Sequence, residues 1–331
     1  MSKQIYIFSD GEMKRKQNTI FFEKTNGEKK YFPIENLEQI HIFGEVTINK
    51  KLLDFLSQEG ILLHFYNYFG FYEGSFYPKE HYNSGSLILR QAEHYMDMNK
   101  RMEIAREFVI GAMLNAIKVL EYYKTRGADL ETEIKSIEEI SKTVGSFSSI
   151  DEIMALEGNT KDIYYRCFNK IISNDAFHFE GRHKRPPIGR INALISYGNS
   201  LLYSYTLSEI YQTHLDPRIG FLHATNFRRF SLNLDVAEVF KPIIVDRLIF
   251  SIVNKGMIKK TDFMEEMKGT YLNESGRKVF VEEMENKMKT TIKHRKLGRN
   301  VSYRTLIRME LYKIEKHLLG DEKYAPFVMW W

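Results

Sequence analysis

Short apolar runs separated by turn-forming residues make up the N-terminal part of the chain. Runs that are apolar or alternating, and that are bounded by Gly, Asn or Asp, are typical of strands. A helical pattern over 50–58 interrupts them, and Gly70 with Gly74 marks a last hairpin before Pro78. We therefore expect a small β-sandwich-like domain over residues 1–78. The predicted strands lie at 5–8, 19–22, 38–43 and 61–66.

The pattern changes after a polar linker at residues 79–86, which contains the run HYNSGS. Beyond it, apolar side chains recur at helical spacing, as at Ala105, Val109 and Ala112, and most of the remaining chain is helical in pattern. The sequence therefore predicts an α+β protein, in which the small N-terminal β-sandwich-like domain is followed by a larger all-α domain over residues 87–331.

Composition excludes several classes of protein. At 331 residues with 43% hydrophobic content, the chain is long enough for two domains with real cores. The start, MSKQIYIFSDGE, lacks the pattern of a signal peptide, and no apolar run reaches the length of a membrane span. Cys167 is the only cysteine, which excludes a disulfide framework and a thiolate zinc site. We expect a soluble cytoplasmic protein.

One histidine and two acids lie close together between residues 215 and 242. Asp235 and Glu238 are three residues apart, so on a helix they share one face with Cβ atoms about 5–6 Å apart. His223 follows a turn-forming segment, from which a loop can carry its imidazole back toward the acids. The set resembles half of a metal site. The alternative is a solvated helix face and an ordinary loop or core histidine.

A third acid, Glu157, falls within the apolar stripe of another predicted helix. Ser149 followed by Glu152 is a capping-box signature, which predicts that this helix begins there. An unpaired carboxylate on a buried face costs on the order of several kcal/mol, so the position favours a nearby cation. The alternative is an i, i+4 ion pair with Lys161. Gly158 directly follows the acid and predicts close approach of a bulky group.

Taken in order along the chain, four segments resemble the CRISPR-associated integrase, the catalytic subunit of the spacer-acquisition complex. The resemblance covers nearly the full length. Lys161 stands where many members of the family have Arg, a departure that keeps the positive charge. The four segments are GEMKRKQNTIFF at 11–22, LEGNTKDIYY at 156–165, RPPIGRINALISYGNSLL at 185–202 and GFLHATNFRRFSLNLDVAEVFKPIIVDRLI at 220–249.

The resemblance places the metal ligands on Glu157, His223 and Glu238, with Asp235 as a further candidate. Carboxylates with one imidazole suit Mg²⁺ or Mn²⁺. The resemblance implies a metal-dependent DNA endonuclease and integrase, in which a 3′-hydroxyl of spacer DNA attacks a phosphodiester of the CRISPR repeat. The helical domain would then be the catalytic one.

Partners also follow from the resemblance. It implies double-stranded DNA as substrate, both as spacer precursor and as CRISPR repeat. It further implies a homodimer joined through the N-terminal β domain and a small ferredoxin-like CRISPR-associated partner protein, with no membrane involved.

Positive charge is concentrated between Glu285 and His317. This segment contains ten Lys or Arg and three Glu, which gives a net charge of +7. Such a stretch can follow a phosphate backbone, whereas the alternative for part of it is a solvated helix face. The loop at 294–300 is the strongest candidate for DNA binding. It carries Arg295, Lys296 and Arg299.

Other candidates for DNA contacts lie near the proposed metal. One of Tyr164 and Tyr165 is expected to stack on a DNA end or to wedge it open, while the other packs in the core. The basic candidates are Lys241, Arg247, Arg228 and Arg229, for each of which an ion pair is the alternative.

Two other functions compete with the integrase hypothesis. One is a non-catalytic DNA-binding scaffold, which has no need of a desolvated carboxylate such as Glu157. The other is a metal phosphohydrolase for small molecules, which the lack of a Gly-rich phosphate loop disfavours. The apolar ending YAPFVMWW predicts either a segment that folds back on the helical domain or one that docks on a partner.

Overall fold

The computed structural model describes residues 3–79, 82, 84–224, 230–295 and 297–330. The chain divides between residues 83 and 84 into two compact units, one rich in strands and one rich in helices. The predicted α+β fold class is therefore confirmed.

In its described residues, the N-terminal unit consists of two four-stranded sheets and one helix. The elements are β1 Lys3–Ile7, β2 Gly11–Lys16, β3 Thr19–Lys24, β4 Lys29–Pro33, β5 Leu37–Ile42, β6 Val46–Ile48, α1 Lys50–Gln58, β7 Leu62–Tyr66 and β8 Tyr72–Phe76. One sheet has the order β1-β5-β7-β8 and the other the order β4-β3-β2-β6. The pairs β1/β5, β5/β7 and β2/β6 are parallel, and the other neighbours are antiparallel.

Apolar side chains from both sheets and from α1 make one core in this unit. Ile40 and Leu63 come from the first sheet, Met13 and Phe22 from the second, and Phe55 from α1. The three strands that the pattern failed to predict are β2, β4 and β6. In β2, GEMKRK, only the side chain of Met13 is fully buried, so its charged residues conceal the strand. A strand with one apolar side chain gives too weak an alternation to predict.

The C-terminal unit is mainly helical, and within the described residues no helix is both long and apolar enough to cross a bilayer. Its helices are α2 Gly85–Met96, α3 Met98–Lys124, α4 Glu131–Thr143, α5 Ile150–Arg166, α6 Phe168–Ile171, α7 Arg190–Ile210, α8 Leu232–Lys241, α9 Arg247–Asn254, α10 Glu274–Lys289 and α11 Tyr303–Leu319.

Two short hairpins depart from the expectation of an all-α unit. They pair β9, Phe263–Glu266, with β10, Gly269–Leu272, and β11, Thr291–Lys293, with β12, Asn300–Ser302. The turn of the first hairpin has positive φ at Met267 (47°) and Lys268 (62°). Two-residue hairpin turns of that kind usually contain Asn or Gly, so the sequence lacked the usual signal.

Helix α7 is the central element of this unit, because nearly all of its residues from Ile191 onward are buried. A helix that is buried all round must satisfy its polar side chains internally. Glu209 is fully buried and accepts from the guanidinium of Arg304 and, at 2.6 Å, from Nε of Arg308, both on α11. This ion cluster joins the central helix to the last helix of the unit.

Helix α8 packs between α3 and α7 and continues through a π-helical turn, Pro242–Asp246, into α9. Pro242 has no N–H, so the carbonyl four residues earlier loses its α-helical partner at this point. π-helical turns of this kind occur frequently at functional sites. The turn follows directly after Glu238 and Lys241, which are both candidate site residues.

Two helical glycines differ sharply in their surroundings. A Cβ at Gly198 in α7 would lie 2.6 Å from Val245 Cγ1 and 2.8 Å from Phe280 Cζ. A Cβ at Gly158 in α5 would meet no heavy atom of the described residues within 4 Å. No described part of the protein therefore approaches Gly158 closely, and Gly198 is the glycine that close packing requires.

We expect Gly198→Ala to lower the free energy of unfolding by about 1–3 kcal/mol, because two neighbours that cannot easily move would be pushed apart. Gly158→Ala is the matched control and should raise it by about 0.5–1 kcal/mol, since alanine favours a helix interior. Urea denaturation followed by circular dichroism measures both. Equal effects of the two substitutions would contradict this account of the packing.

Candidate metal centre

Glu157, His223 and Glu238 come from three separate segments, and Glu238 is linked to Glu157 through Lys161 and lies close to His223. Glu157 lies in the middle of α5, whose predicted capping box between Ser149 and Glu152 is present. Glu238 lies in the last turns of α8, and His223 lies in the segment that precedes α8. The ammonium of Lys161 contacts Glu157 Oε1 and is 2.8 Å from Glu238 Oε2, so one cation bridges the two carboxylates.

Asp235 is fully buried, and its carboxylate is saturated by donors from the preceding loop. Oδ2 accepts from the backbone N–H groups of Phe221 (2.5 Å) and Leu222 (3.0 Å). Oδ1 accepts from His223, both from the backbone N–H (2.8 Å) and from Nδ1 (2.7 Å). These four bonds make Asp235 a residue that positions His223. The suggestion that Asp235 itself is a metal ligand is not supported.

The contact with Asp235 fixes how His223 presents its ring. Because Nδ1 donates to the carboxylate, Nε2 carries the lone pair in the neutral imidazole, and Nε2 lies 3.9 Å from Glu238 Oε1. Burial alone would lower the pKa of His223, but Asp235 and the nearby charge of Glu238 raise it overall. A carboxylate that orients a histidine through its other nitrogen is a common support for a metal ligand.

Glu238 is almost completely buried, with 4% of its side chain exposed, and three basic groups surround it. Lys241 Nζ is 2.5 Å from Oε1, whereas Lys161 contacts Oε2. Burial would raise the pKa of Glu238, but Lys161, Lys241 and His223 hold it well below its usual range. Burial would lower the pKa values of Lys241 and Lys161, but the nearby acids raise them. Glu238 raises the pKa of Lys241, and Glu238 and Glu157 together raise that of Lys161.

The donor types suit a divalent cation, and the Lys161 ammonium occupies a position between two carboxylates that such a cation would take. Glu157 Oε1 is buried and has no hydrogen-bond partner apart from its charge contact with Lys161. In the described part of the chain, no three His, Cys, Asp or Glu side chains enclose an ion by themselves. We conclude that the residues fit a metal if the ammonium moves away.

Tyr164 and Tyr165 are both buried, so neither presents its ring to a ligand. Tyr164 is 3% exposed and packs edge-on against Phe168, while Tyr165 packs against Phe168 and Phe179. Both rings belong to the core here, and stacking of one of them on a DNA end stays a prediction. Helical spacing could not show that neighbouring elements cover this face of α5.

Asp246, in the π-helical turn, is a further buried carboxyl near the centre. Burial raises the pKa of Asp246 to about 7, although Lys241 and Lys161 act to lower it. Arg182 also faces it and is held by Asn192 Oδ1 at 2.9 Å and Ser196 Oγ at 3.0 Å. Arg182 was not among the residues predicted from the sequence. Its signal was the basic run GRHKR at 181–185, just upstream of the resembling segment.

The basic candidates have different environments. Lys241 forms an ion pair with Glu238, the alternative that the sequence left open, and its ammonium lies 5.0 Å from the centre of the Tyr203 ring. The Arg247 guanidinium stacks 4.1 Å from the Tyr122 ring at the end of α3. Arg228, Arg229 and Lys296 lie outside the described residues.

The basic stretch near the C-terminus is partly neutralised. Arg304 and Arg308 share the buried Glu209 on α7, and Lys289 and Lys313 have acidic partners within their own helices. The net charge of +7 for residues 285–317 therefore overstates the positive charge of this surface, because the count does not include Glu209, which pairs with two of the arginines. Arg295 and Arg299 are exposed on the loop between β11 and β12.

Known proteins match this chain over its full length. Residues 5–286 match the family model described as CRISPR associated protein Cas1. The CRISPR-associated endonuclease Cas1 2 of Thermodesulfovibrio yellowstonii is 58% identical over 331 residues, covering 100% of both chains. The CRISPR-associated endonuclease Cas1 of Thermotoga maritima is 49% identical over 323 residues, 98% of this chain and 99% of the relative.

Solved structures show the same similarity. A Cas1 protein from Thermotoga maritima has a TM-score of 0.89 at 47% identity, covering 98% of this chain and 99% of that one. A casposase bound to an integration product has a TM-score of 0.88 at 20% identity, covering 98% and 93%, and this likeness shows the fold alone. The family resemblance and the enzyme class predicted from the sequence are confirmed, and the chain belongs to the Cas1 family of CRISPR-associated endonucleases.

Proposed function

We propose that this chain is a divalent-metal-dependent DNA integrase and endonuclease that inserts spacer DNA into a CRISPR array. The observation that carries the proposal is that Lys161 bridges Glu157 and Glu238, while His223 Nε2 lies 3.9 Å from the other carboxylate oxygen of Glu238. Relatives of the same length are named as endonucleases, and a casposase of the same fold is named as bound to an integration product.

Glu157, Glu238 and Nε2 of His223 would hold Mg²⁺ or Mn²⁺. When bound, the cation would polarise a phosphodiester and lower the pKa of the attacking 3′-hydroxyl. Asp235 keeps the imidazole in the tautomer whose Nε2 can act as a ligand. Lys161 and Lys241 keep positive charge beside the carboxylates, where it can offset charge that develops on the phosphoryl oxygens.

The joining reaction requires no protein nucleophile. The 3′-hydroxyl of the spacer attacks phosphorus in the repeat, and another 3′-hydroxyl leaves, so one phosphodiester forms as one breaks. Attack by water at the same centre would give hydrolysis. The protein therefore contributes orientation and charge.

We further propose double-stranded DNA as the substrate, both as spacer precursor and as repeat, and the cytoplasm, where that substrate lies, as the location. A homodimer joined through the N-terminal β domain of residues 1–78, and a small ferredoxin-like CRISPR-associated partner, complete the proposed assembly. The linker at 79–86 would separate that domain from the catalytic domain of residues 87–331.

A non-catalytic DNA-binding scaffold is the second candidate, and one observation favours it. Glu238 is already neutralised by Lys161 and Lys241, so the buried carboxylate is stable without a metal. A Mn²⁺ titration of the purified protein separates the two functions. A scaffold would bind DNA but show no saturable Mn²⁺ site that depends on Glu157.

Glu157→Gln, His223→Ala and Glu238→Gln should each abolish joining of a duplex end to a plasmid, and each should weaken Mn²⁺ binding. Gln keeps the shape of the side chain and removes the negative charge that the cation requires. Asp162 is an exposed acid on α5, the helix of Glu157, and Asp162→Asn is the control that should behave as the parent protein. Joining by Glu157→Gln at the parental rate would refute the assignment.

Mn²⁺ affinity should fall as the pH is lowered, because a proton competes with the metal for the imidazole of His223. The pKa of His223 is raised, so the loss of Mn²⁺ affinity should begin at a higher pH than for an ordinary histidine. Below the pKa of His223, the affinity should fall by about tenfold for each pH unit. Electron paramagnetic resonance of free Mn²⁺ at several pH values gives the affinity.

Asp235→Asn removes one of the charges that raise this pKa, so the fall in affinity should begin at a lower pH. It should also weaken Mn²⁺ binding at high pH by about 10–100-fold, because the ring is no longer held. Melting temperature serves as the control for folding. An unchanged pH dependence in Asp235→Asn would show that Asp235 does not act through His223.

Arg295→Ala combined with Arg299→Ala should weaken binding of unrelated duplexes to a similar degree. The slope of log K against log salt should become shallower by about 0.9 for each phosphate that the loop no longer neutralises. Lys135→Ala combined with Lys142→Ala, which removes the same charge from α4, is the control. If the slope of the arginine variant equals that of the parent protein, the loop does not contact DNA.

A further inference from the structure

The last described residues, 324–330, which we call the C-terminal strap, lie along the helices of their own unit. Tyr324, Phe327 and Met329 are buried, with 5%, 6% and 1% of their surface exposed. Of the two alternatives that the apolar ending allowed, the structure shows the segment that folds back. The strap has no regular secondary structure, so its backbone groups need partners elsewhere.

Helix α11 supplies the first of these partners. Glu310, which is fully buried, accepts through Oε1 from the hydroxyl of Tyr324 (2.7 Å) and from the N–H of Phe327 (2.9 Å). Lys313, which pairs with Glu310, donates to the carbonyl of Ala325 (2.7 Å). A buried carboxylate that accepts from the chain in this way holds the start of the strap tightly.

Asn115 of α3 joins the strap to the helix that carries Glu238. Its Nδ2 donates to the carbonyls of Phe327 and Val239, each at 2.8 Å, and its Oδ1 accepts from the N–H of Met329 at 2.8 Å. Val239 directly follows Glu238 in α8. One buried amide therefore binds the strap on one side and the backbone of the metal-site helix on the other.

Apolar contacts support the same junction. The rings of Phe327 and Phe240 lie nearly parallel, with centroids 5.8 Å apart. A Cβ at Gly111 of α3 would be 2.6 Å from Pro326 Cβ and 3.3 Å from Val239 Cγ2, so glycine allows strap, α3 and α8 to meet. Phe240 and Val239 belong to α8, and the strap thus packs on the back of the metal-site helix.

The other end of the strap reaches the exposed basic loop. Trp330 Nε1 donates to the carbonyl of Lys293 at 3.1 Å. The His294 ring meets the Trp330 ring edge to face at 5.5 Å, and the Arg295 guanidinium lies 5.4 Å from the centre of the Trp330 ring. The ring centroids of Phe327 and Trp330 are 5.2 Å apart, so Phe327 connects the junction with α8 to the end of the strap at the basic loop.

We propose that the C-terminal strap fixes the start of the basic loop, at residues 293–295, relative to the helix that carries Glu238, and that Trp330 is the positioning residue at the loop. The inference rests on the proposed DNA binding by this loop. A flexible basic loop binds phosphates less tightly than a fixed one, because its side chains must be ordered on binding. Trp330 contributes no charge, so a change in the salt slope on its removal can arise only through the basic side chains that it positions.

Trp330→Ala is the test, in the full-length protein, with affinity for unrelated duplexes measured over a range of salt. We expect weaker binding, and a slope of log K against log salt shallower by about 0.9 for each phosphate that the displaced loop fails to reach, although no charge is removed. Trp330→Phe keeps a ring beside Arg295 and should restore most of the affinity. Tyr312→Ala, an aromatic residue 42% exposed on α11, is the control and should change nothing.

A purely structural role gives a different result. It predicts a lower melting temperature for Trp330→Ala with the salt slope of the parent protein, and this outcome would overturn the inference. In the background of Arg295→Ala with Arg299→Ala, removing Trp330 should reduce affinity much less than in the parent protein, because two of the three basic side chains of the loop are already absent. Additive reductions in affinity would equally overturn it.

The result also distinguishes this inference from the function on which it rests. If the arginine variant changes the slope and Trp330→Ala does not, only the positioning role fails. If neither changes the slope, the loop does not bind DNA and the inference fails with it. Joining that depends on Mn²⁺ and Glu157 in the parent protein would then still support the proposed function.

Discussion

The negative charge of Glu238 lies where water cannot solvate it, and the arrangement of the helical unit depends on how that charge is neutralised. An unpaired buried carboxylate costs on the order of several kcal/mol, and Glu238 avoids this through Lys161, Lys241 and the nearby imidazole of His223. In this structure Lys161 and Lys241 form ion pairs with Glu238. If DNA binds, the same two lysines would place positive charge beside its phosphate. One set of contacts thus stabilises the buried carboxylate and would supply the positive charge that the proposed DNA site needs.

Such a centre works only if its supports are rigid, because a shift of about 1 Å in a catalytic group can cost about a hundredfold in rate. Helix α8 meets this requirement from several sides. Asp235 holds the loop of His223 with four hydrogen bonds, and Gly198 lets α7 approach the π-helical turn that follows Glu238. Asn115 binds the α8 backbone itself. Most of these contacts come from residues that take no part in chemistry.

Periodicity and capping predicted the elements whose signals are local. The capping box at Ser149 and the helix at 50–58 are present, because each depends only on residues within a few positions. Elements without a local signal were missed by the hydrophobic pattern, among them the charged strand β2 and the hairpin whose turn uses Met267 and Lys268 in place of Asn-Gly. Sheet order was equally out of reach, since strand pairing is fixed by contacts between distant segments.

By itself the sequence determined the family, the two kinds of structure along the chain, and the three residues proposed as ligands, since all of these reside in residue types and spacing. Tertiary structure decided the roles of their neighbours. Lys161 reaches Glu238 from 77 residues away, and the buried face of α5 takes both tyrosines into the core. Glu209 neutralises arginines that looked like a DNA-binding surface. Spacing specifies which side chains share an element, whereas burial and charge pairing depend on which elements meet.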